Sequence, residues 1–262
     1  MSESNRCTEA IYLDYNATTP VKPQVSEAIA KALAMTGNPS SVHQFGRGAR
    51  NAVELARDQV ATMIGAPSEE VVFTASGTEA NNMALYGARR DRLIISAIEH
   101  PSVLRAAEAR ADTKLPNNGS DLVVLPVDGE GIVSLDALDR ALGKIADDAL
   151  VSIMLANNET GVIQPVAEIA SLAHQRGALV HCDAVQAPGR IAFDVASLGV
   201  DMLSLSAHKF GGPKGVGGLF VKAALDLQPL IIGGGQERGR RPGTENVASI
   251  VGFGVAAELA VD

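Results

Sequence analysis

Short apolar runs alternate with amphipathic stretches through most of the chain. Apolar runs of strand length fall at 71–74, 93–96, 122–126, 151–156, 178–183, 202–206 and 218–221. Several are apolar almost throughout, as strands covered on both faces are. Between them, apolar positions recur at helical spacing over 47–64, 78–89, 103–111, 135–142 and 166–175. Pro165 stands just before the last of these and Gly177 closes it, a start and a stop that suit a helix. The alternation predicts an α/β fold: a mostly parallel central sheet flanked by helices. Residues 112–120, with Pro116, Asn117, Asn118 and Gly119, read as an exposed loop. Residues 246–262 read as a helix with no Gly, Pro or basic closing signal after it.

Composition narrows the picture. With 262 residues, 46% of them hydrophobic, the chain can bury one substantial core. A net charge of −8 with no long basic run argues against nucleic acid or an anionic membrane as a partner. An anionic ligand would need a local positive site. No uninterrupted apolar stretch is long enough to span a bilayer, and the polar start of the chain does not read as a secretory leader. Cys7 and Cys182 are too few for a disulfide framework and suit a reducing, cytoplasmic setting.

The candidate chemistry lies at strand ends. Segment 204–213 leaves an apolar strand for a Gly-rich turn and carries Ser206, His208 and Lys209. A lysine where ligands bind in open α/β sheets can form a Schiff base with an aldehyde, once burial and nearby cations lower its pKa. Ser206 and His208 beside it could contact a phosphate. Most lysines are merely solvated, which is the competing reading. Asp183 ends another strand, where its carboxylate can pair with a protonated pyridine nitrogen, and Gln186 follows three residues later. Asp183 could equally cap a helix. His181, Cys182 and Asp183 do not suggest a metal, because adjacent strand residues point to opposite faces.

Three further segments follow the same plan. Residues 73–82 run from strand through a Gly/Ser/Thr loop into a helix, so Gly77 and Thr78 can present N–H groups and a hydroxyl to an anion. An ordinary N-cap by Ser76 or Thr78 is the alternative. The segment is not a Walker motif, and no G-x-G-x-x-G follows the first strand. His100 follows the strand at 93–96 and could stack on a planar ring or move protons; by itself it reads as a loop histidine with a local bond. Asn158 sits at a strand end within Asn157-Asn158, a pair that also builds turns. Together these segments supply a Schiff-base lysine, a pyridinium partner, a phosphate cradle and a ring-stacking group, the needs of pyridoxal 5'-phosphate (PLP).

These motifs resemble the cysteine desulfurases of the iron–sulfur-cluster and nitrogenase-maturation type, within the class V aminotransferase superfamily. The likeness runs through nearly the whole chain. It includes Leu-Asp-Tyr-Asn-Ala-Thr-Thr-Pro at 13–20, Gly-Asn-Pro-Ser-Ser at 37–41 and Gly-Gly-Gly-Gln-Glu-Arg-Gly-Arg-Arg-Pro-Gly-Thr-Glu-Asn at 233–246. The resemblance implies PLP fold type I, with residues 1–20 as an N-terminal arm and 21–262 as the PLP-binding large domain. It implies a homodimer with active sites near the subunit interface. Lys209 would carry the cofactor, Asp183 would pair with its ring nitrogen and His100 would stack on the ring. Gln186 and Asn158 would hydrogen-bond it, and Gly77, Thr78, Ser206 and His208 would bind its phosphate. Thr244 would reach the phosphate in the partner subunit.

The reaction implied is transfer of sulfur from L-cysteine to an enzyme cysteine as a persulfide, leaving L-alanine. Lys209, once released, would take the Cα proton, with His100 assisting. A sulfur acceptor or iron–sulfur scaffold protein would follow as partner. The family's small domain, its persulfide cysteine and its substrate-carboxylate arginine lie beyond residue 262. Neither Cys7 nor Cys182 matches the persulfide loop. The expectation is a truncated chain that holds PLP, does not complete sulfur transfer unaided, and exposes apolar surface on its last helix. A related PLP enzyme, such as a selenocysteine lyase or aminotransferase, and a non-catalytic dimeric scaffold are the competing readings.

Overall fold

The computed structural model describes residues 10–112 and 121–261. In chain order the elements are α1 (Pro23–Leu33), α2 (Gln44–Ile64), β1 (Val71–Thr74), α3 (Gly77–Gly87), β2 (Arg92–Ser96), α4 (Pro101–Asp112) and β3 (Asp121–Leu125). There follow α5 (Leu135–Leu142), β4 (Ala149–Met154), α6 (Val166–Gln175), β5 (Leu179–Asp183), α7 (Val195–Leu198), β6 (Met202–Ser206), β7 (Gly217–Val221) and α8 (Val247–Val261).

The seven strands form one sheet in the order β1-β7-β6-β5-β4-β2-β3. The strands from β6 to β3 pair in parallel, and β7 runs antiparallel to both β6 and β1. The predicted mostly parallel α/β sheet is the observed one. Both faces are covered. On one, α3 and α4 bring Met83, Leu85 and Val103 onto Leu93, Ile95 and Leu150. On the other, α2, α5, α6 and α8 bring Val53, Leu138, Ile169 and Phe253 onto Val151, Val180 and Leu203. Strands β4, β6 and β7 are buried along their length, which is why they read as continuous apolar runs.

Several boundaries differ from the sequence pattern, each for a local reason. The helix expected from residue 47 starts at Gln44, because His43 caps it by accepting the Gly46 N–H at 3.3 Å. The helix expected to reach Arg89 ends at Gly87, and Arg89 has a left-handed φ of 49°. Pro126 lies outside β3; Leu155 and Ala156 lie beyond β4, where Ala156 bridges to Ile163 instead. Helix α1 and the short α7 were not legible, since α1 buries only Val25 and Ala32. The apolar surface expected on the last helix is largely absent: Ile250, Phe253, Ala256 and Ala257 are buried. On this helix Val261 alone is an exposed large apolar side chain; the others lie elsewhere, among them Ile11, Leu13, Val42, Phe45 and Ile232. Among the described residues, no helix is long and apolar enough to cross a membrane. Cys7, Asp262 and all but the first residue of the loop expected at 112–120 lie outside the described residues.

Candidate active site

Parallel strands deliver their C-terminal ends to one edge of the sheet, and there a ligand meets loops rather than ladder. Strands β4, β5 and β6 end there at Met154, Asp183 and Ser206. Strand β1 ends at the same edge, because it and β6 both oppose β7. A cavity of about 200 Å³ opens at this edge. Gly77, Thr78, His100, Asn158, Asp183, Gln186, Ser206, His208 and Lys209 all line it. Thr244 does not; it is exposed on the segment 233–245. Asn81, Ser102 and Met154 also line the cavity, and sequence reasoning assigned them no role.

The turn from β1 to α3 is shaped for close approach. Ser76 is the N-cap and accepts the Glu79 N–H at 3.1 Å. The capping alternative therefore holds for Ser76, which lines the cavity as well. A Cβ on Gly77 would sit 2.8 Å from Val185, and one on Gly217 would sit 2.5 Å from the Ser76 backbone. These two glycines let the turn lie directly on β7 and the end of β6, with the helix N–H groups and dipole toward the cavity. Glu79 anchors the turn from behind. Its carboxylate accepts the Ala75 N–H at 2.8 Å and pairs with Arg241 at 2.7 Å.

Asp183 is buried. One oxygen accepts the Val185 N–H at 3.0 Å and the other accepts from Asn81 Nδ2 at 2.7 Å. Burial pushes its carboxyl above the usual carboxylate range, against these bonds and the nearby His100 and Lys209. Such a group gains from a cation brought to it.

Lys209 is half-buried in the turn after β6, and its Nζ donates to the Asn16 carbonyl at 2.7 Å. Burial and the neighbouring guanidinium of Arg190 lower its pKa, which favours the neutral, nucleophilic amine. Gln186 Nε2 donates to the same Asn16 carbonyl at 2.9 Å, and Arg190 donates to Asn16 Oδ1 at 2.7 Å and to Tyr15 O at 2.7 Å. Residues 15 and 16 are thus fastened across the cavity mouth. His208 Nδ1 lies 3.1 Å from Thr18 Oγ1, and burial with Lys209 and Lys214 nearby lowers its pKa.

The Asn157-Asn158 pair does both things expected of it. Asn157 Oδ1 accepts the N–H groups of Glu159 and Thr160 at 2.8 and 2.9 Å and builds the turn, while Asn158 lines the cavity. His100 likewise has a local bond, with Nδ1 2.7 Å from Ser102 Oγ, and lines the cavity. Before it stands Glu99, which is buried. Glu99 Oε1 accepts from Ser96 Oγ at 2.5 Å and from Met154 N at 3.0 Å, fastening the His100 loop to the end of β4. Burial pushes its carboxyl up to about 8, and the nearby Asp183 adds to the rise.

Segment 233–245 is held by a buried ion pair. Glu237 accepts from Arg57 Nη1 and Nη2 at 2.6 and 2.8 Å and from the Phe73 N–H at 2.8 Å. Glu237 and Arg238 both have left-handed φ, a conformation this fixed carboxylate holds in place. Sequence pattern gives no sign that Arg57, on a long amphipathic helix, is buried against a residue 180 positions away. Cys182, on the face of β5 opposite Asp183, is fully buried, and its thiol pKa is pushed well up by burial.

The aminotransferase class-V family matches residues 11–262. Cysteine desulfurase IscS of Dictyoglomus turgidum is 48% identical over 96% of this chain and 64% of its own length. A cysteine desulfurase of Trichormus azollae is 47% identical over 95% of this chain and 62% of its own length. The chain thus spans less than two thirds of these relatives. A solved NifS-like protein matches with a TM-score of 0.90 and 41% identity, over 96% of this chain and 70% of its own. SspA, solved in complex with cysteine, matches with a TM-score of 0.87 and 37% identity, over 95% of this chain and 72% of its own. With a match from residue 11 to residue 262 and the same fold throughout, the chain belongs to the class-V aminotransferase family.

Proposed function

We propose that this chain is the PLP-binding large domain of a cysteine desulfurase that takes sulfur from L-cysteine and leaves L-alanine. The observation that carries the reading is the meeting of Lys209 and Asp183, from neighbouring strand ends, in one cavity with the α3 N-terminus. The residues present suit PLP. A buried carboxyl held above its usual range is relieved by a protonated pyridine nitrogen, and a lysine of lowered pKa gives up its proton more readily. Gly77, Thr78, Ser206 and His208 would hold the phosphate, with Thr244 reaching the site of the partner subunit in a homodimer. Asn158 and Gln186 would hydrogen-bond the cofactor and His100 would stack on it. When bound, PLP supplies an electron sink for the carbanion formed at the substrate Cα.

The other steps belong to the chain's own groups. Lys209 must leave the Asn16 carbonyl to bond the cofactor, and afterwards takes the Cα proton. His100 assists proton transfer at the substrate. Cys182 is no persulfide carrier: it is buried, faces away from the cavity and resists forming a thiolate. Residues 1–20 act as an arm and 21–262 as the large domain. The persulfide cysteine, the substrate-carboxylate site and the contact with a sulfur acceptor belong to a small domain outside this chain, and the whole works in the cytoplasm.

The test is an absorption spectrum with added PLP, for the unaltered chain and Lys209→Ala. A long-wavelength band in the unaltered chain alone supports the reading; no band in either overturns it. Alanine formed from L-cysteine, in the presence of a segment that carries a persulfide cysteine, separates desulfuration from the aminotransferase and selenocysteine-lyase alternatives.

A further inference from the structure

Four side chains, from α3, β5, α4 and the loop before α4, form one hydrogen-bonded line along the cavity wall. Asn81, in α3, is 1% exposed. Its Nδ2 donates to Asp183 Oδ2 at 2.7 Å and to Ser102 Oγ at 2.8 Å. Ser102, at the start of α4, places Oγ 2.7 Å from His100 Nδ1, and its backbone N–H points at the same nitrogen at 3.1 Å. We propose that Asn81 and Ser102 are positioning residues that hold the neutral His100 ring with its proton on Nε2, and that they tie this choice to Asp183. The inference deepens the proposed function and rests on it for its meaning, although the line itself stands without cofactor.

The direction of each bond follows from the donors available. Asp183 accepts the Val185 N–H on one oxygen, so its carboxylate form requires a donor at the other. That demand turns the Asn81 amide nitrogen toward Asp183. The same nitrogen faces Ser102 Oγ, which therefore accepts and has its own proton free to donate. The acceptor within reach is His100 Nδ1. A ring nitrogen that receives both a hydroxyl and a backbone N–H carries no proton, so the neutral ring carries it on Nε2. Nε2 is then the donor offered to whatever occupies the cavity.

The opposite orientation of Asn81 is closed while Asp183 is ionised. It would turn Oδ1 toward the carboxylate, an acceptor with no proton to give. As the line stands, Oδ1 is buried without a hydrogen-bond partner, so Asp183 and Ser102 alone fix the amide. Protonation of Asp183 would let the amide turn and draw the Ser102 hydroxyl away from His100. The titratable groups facing the line are Asp183 itself, Lys209 and, close enough to Asp183 to be felt by it, the carboxyl of Glu99. The residue meant to hold the cofactor's ring nitrogen and the residue meant to stack on the ring thereby report to each other without touching.

The test is nitrogen-15 NMR of histidine-labelled chain without cofactor, above the pH at which exposed imidazoles titrate. The expected spectrum has His100 with its proton on Nε2. Ser102→Ala should move Nδ1 toward the resonance of an unbonded imidazole nitrogen, and Ser102→Thr should restore it. Asn81→Leu should move it in the same sense, although Asn81 does not touch His100. With PLP added, Asn81→Leu should weaken binding about five- to tenfold, the loss of one hydrogen bond to Asp183. A proton on Nδ1 in the unaltered chain, or a His100 resonance indifferent to Asn81→Leu, overturns the proposal. If the spectra behave as expected but Lys209→Ala leaves the PLP band unchanged, the cofactor reading fails and the hydrogen-bonded line stands.

Discussion

The two faces of strand β5 meet different surroundings. Val180 and Cys182 pack into the apolar core under α2, α6 and α8. Their neighbours His181 and Asp183 point the other way, into a polar layer. There His181 lies between Ser152 Oγ at 2.8 Å and Ser204 Oγ at 2.9 Å, one strand to either side. Asp183 joins Asn81 above it. One run of sequence thus builds core with one set of side chains and the candidate site with the other. The apolar face holds the fold together, and the polar face sacrifices apolar burial to place ionisable groups without water.

If that division holds, stability and ligand binding should separate by face. Phe253 is fully buried on the apolar side, with its ring 5.9 Å from that of Phe73 and 5.8 Å from that of Phe210. Phe253→Ala should cost about 3–5 kcal/mol in denaturant unfolding, yet leave PLP affinity nearly unchanged where the chain stays folded. Asp183→Asn should do the reverse. It removes a carboxyl that burial already disfavours, so stability should change by less than about 2 kcal/mol, while PLP affinity falls at least about tenfold with the loss of the pyridinium pair. Equal losses of stability in the two variants would sink the division.

The pH dependence of stability sharpens it further, because Glu99 and His181, both strongly perturbed, lie at the polar side. Glu99 rises from 4.5 to about 8 on folding, through burial first. Its contribution is full below pH 4.5 and is lost as pH climbs to about 8. His181 falls from 6.5 to about 3, through burial. Its contribution is full above pH 6.5 and is lost as pH drops toward 3. Between pH 4.5 and 6.5 the two slopes oppose each other. From 6.5 to 8 Glu99 acts without His181, at up to about 1.4 kcal/mol per pH unit. Glu99→Gln keeps an acceptor for Ser96 and Met154. It should abolish a decline of about 2 kcal/mol across that interval, measured as the difference between the two stability curves. Asp183 is raised by burial in both chains, so the difference isolates Glu99 together with its repulsion from Asp183. A decline that survives in Glu99→Gln would remove Glu99 from this account.

How much of this was legible follows the same division. The strands were readable because burial on both faces leaves long apolar runs. Lys209 and Asp183 were readable because strand-end position and residue type together restrict their chemistry. Asn81 and Ser102 were not, because each is unremarkable within its own helix. Their meaning comes from three elements meeting, with Asn81 and Asp183 separated by 102 positions. Glu99 stands next to His100 in sequence, yet only its burial distinguishes it from a solvated loop carboxylate. Arg57 was invisible for the same reason: a helix pattern does not tell which charged residue will be buried against a distant carboxylate. Asn16, at the hub of the cavity mouth, offers its backbone carbonyl to Lys209 and Gln186, and no side-chain pattern announces a carbonyl.

The smallest effects test whether the polar layer is a set of specific pairs or merely tolerated polarity. A neutral His181 has one donor and one acceptor nitrogen, and a serine hydroxyl can satisfy either. Ser204→Ala leaves one ring nitrogen buried without a partner and should cost about 1–2 kcal/mol. The mirror change on the other face, Cys182→Ser, puts a hydroxyl into apolar surroundings and should cost a similar amount, about 1–2 kcal/mol. The two differ in what rescues them. In a His181→Leu background the nitrogen that needed Ser204 is gone, so Ser204→Ala should become nearly neutral, whereas Cys182→Ser should cost as much as before. Non-additivity confined to the first pair would identify Ser152, His181 and Ser204 as one matched row. Additive losses in both backgrounds would mean that His181 draws little from its neighbours, and that the polar face of β5 is held by packing much as the apolar face is.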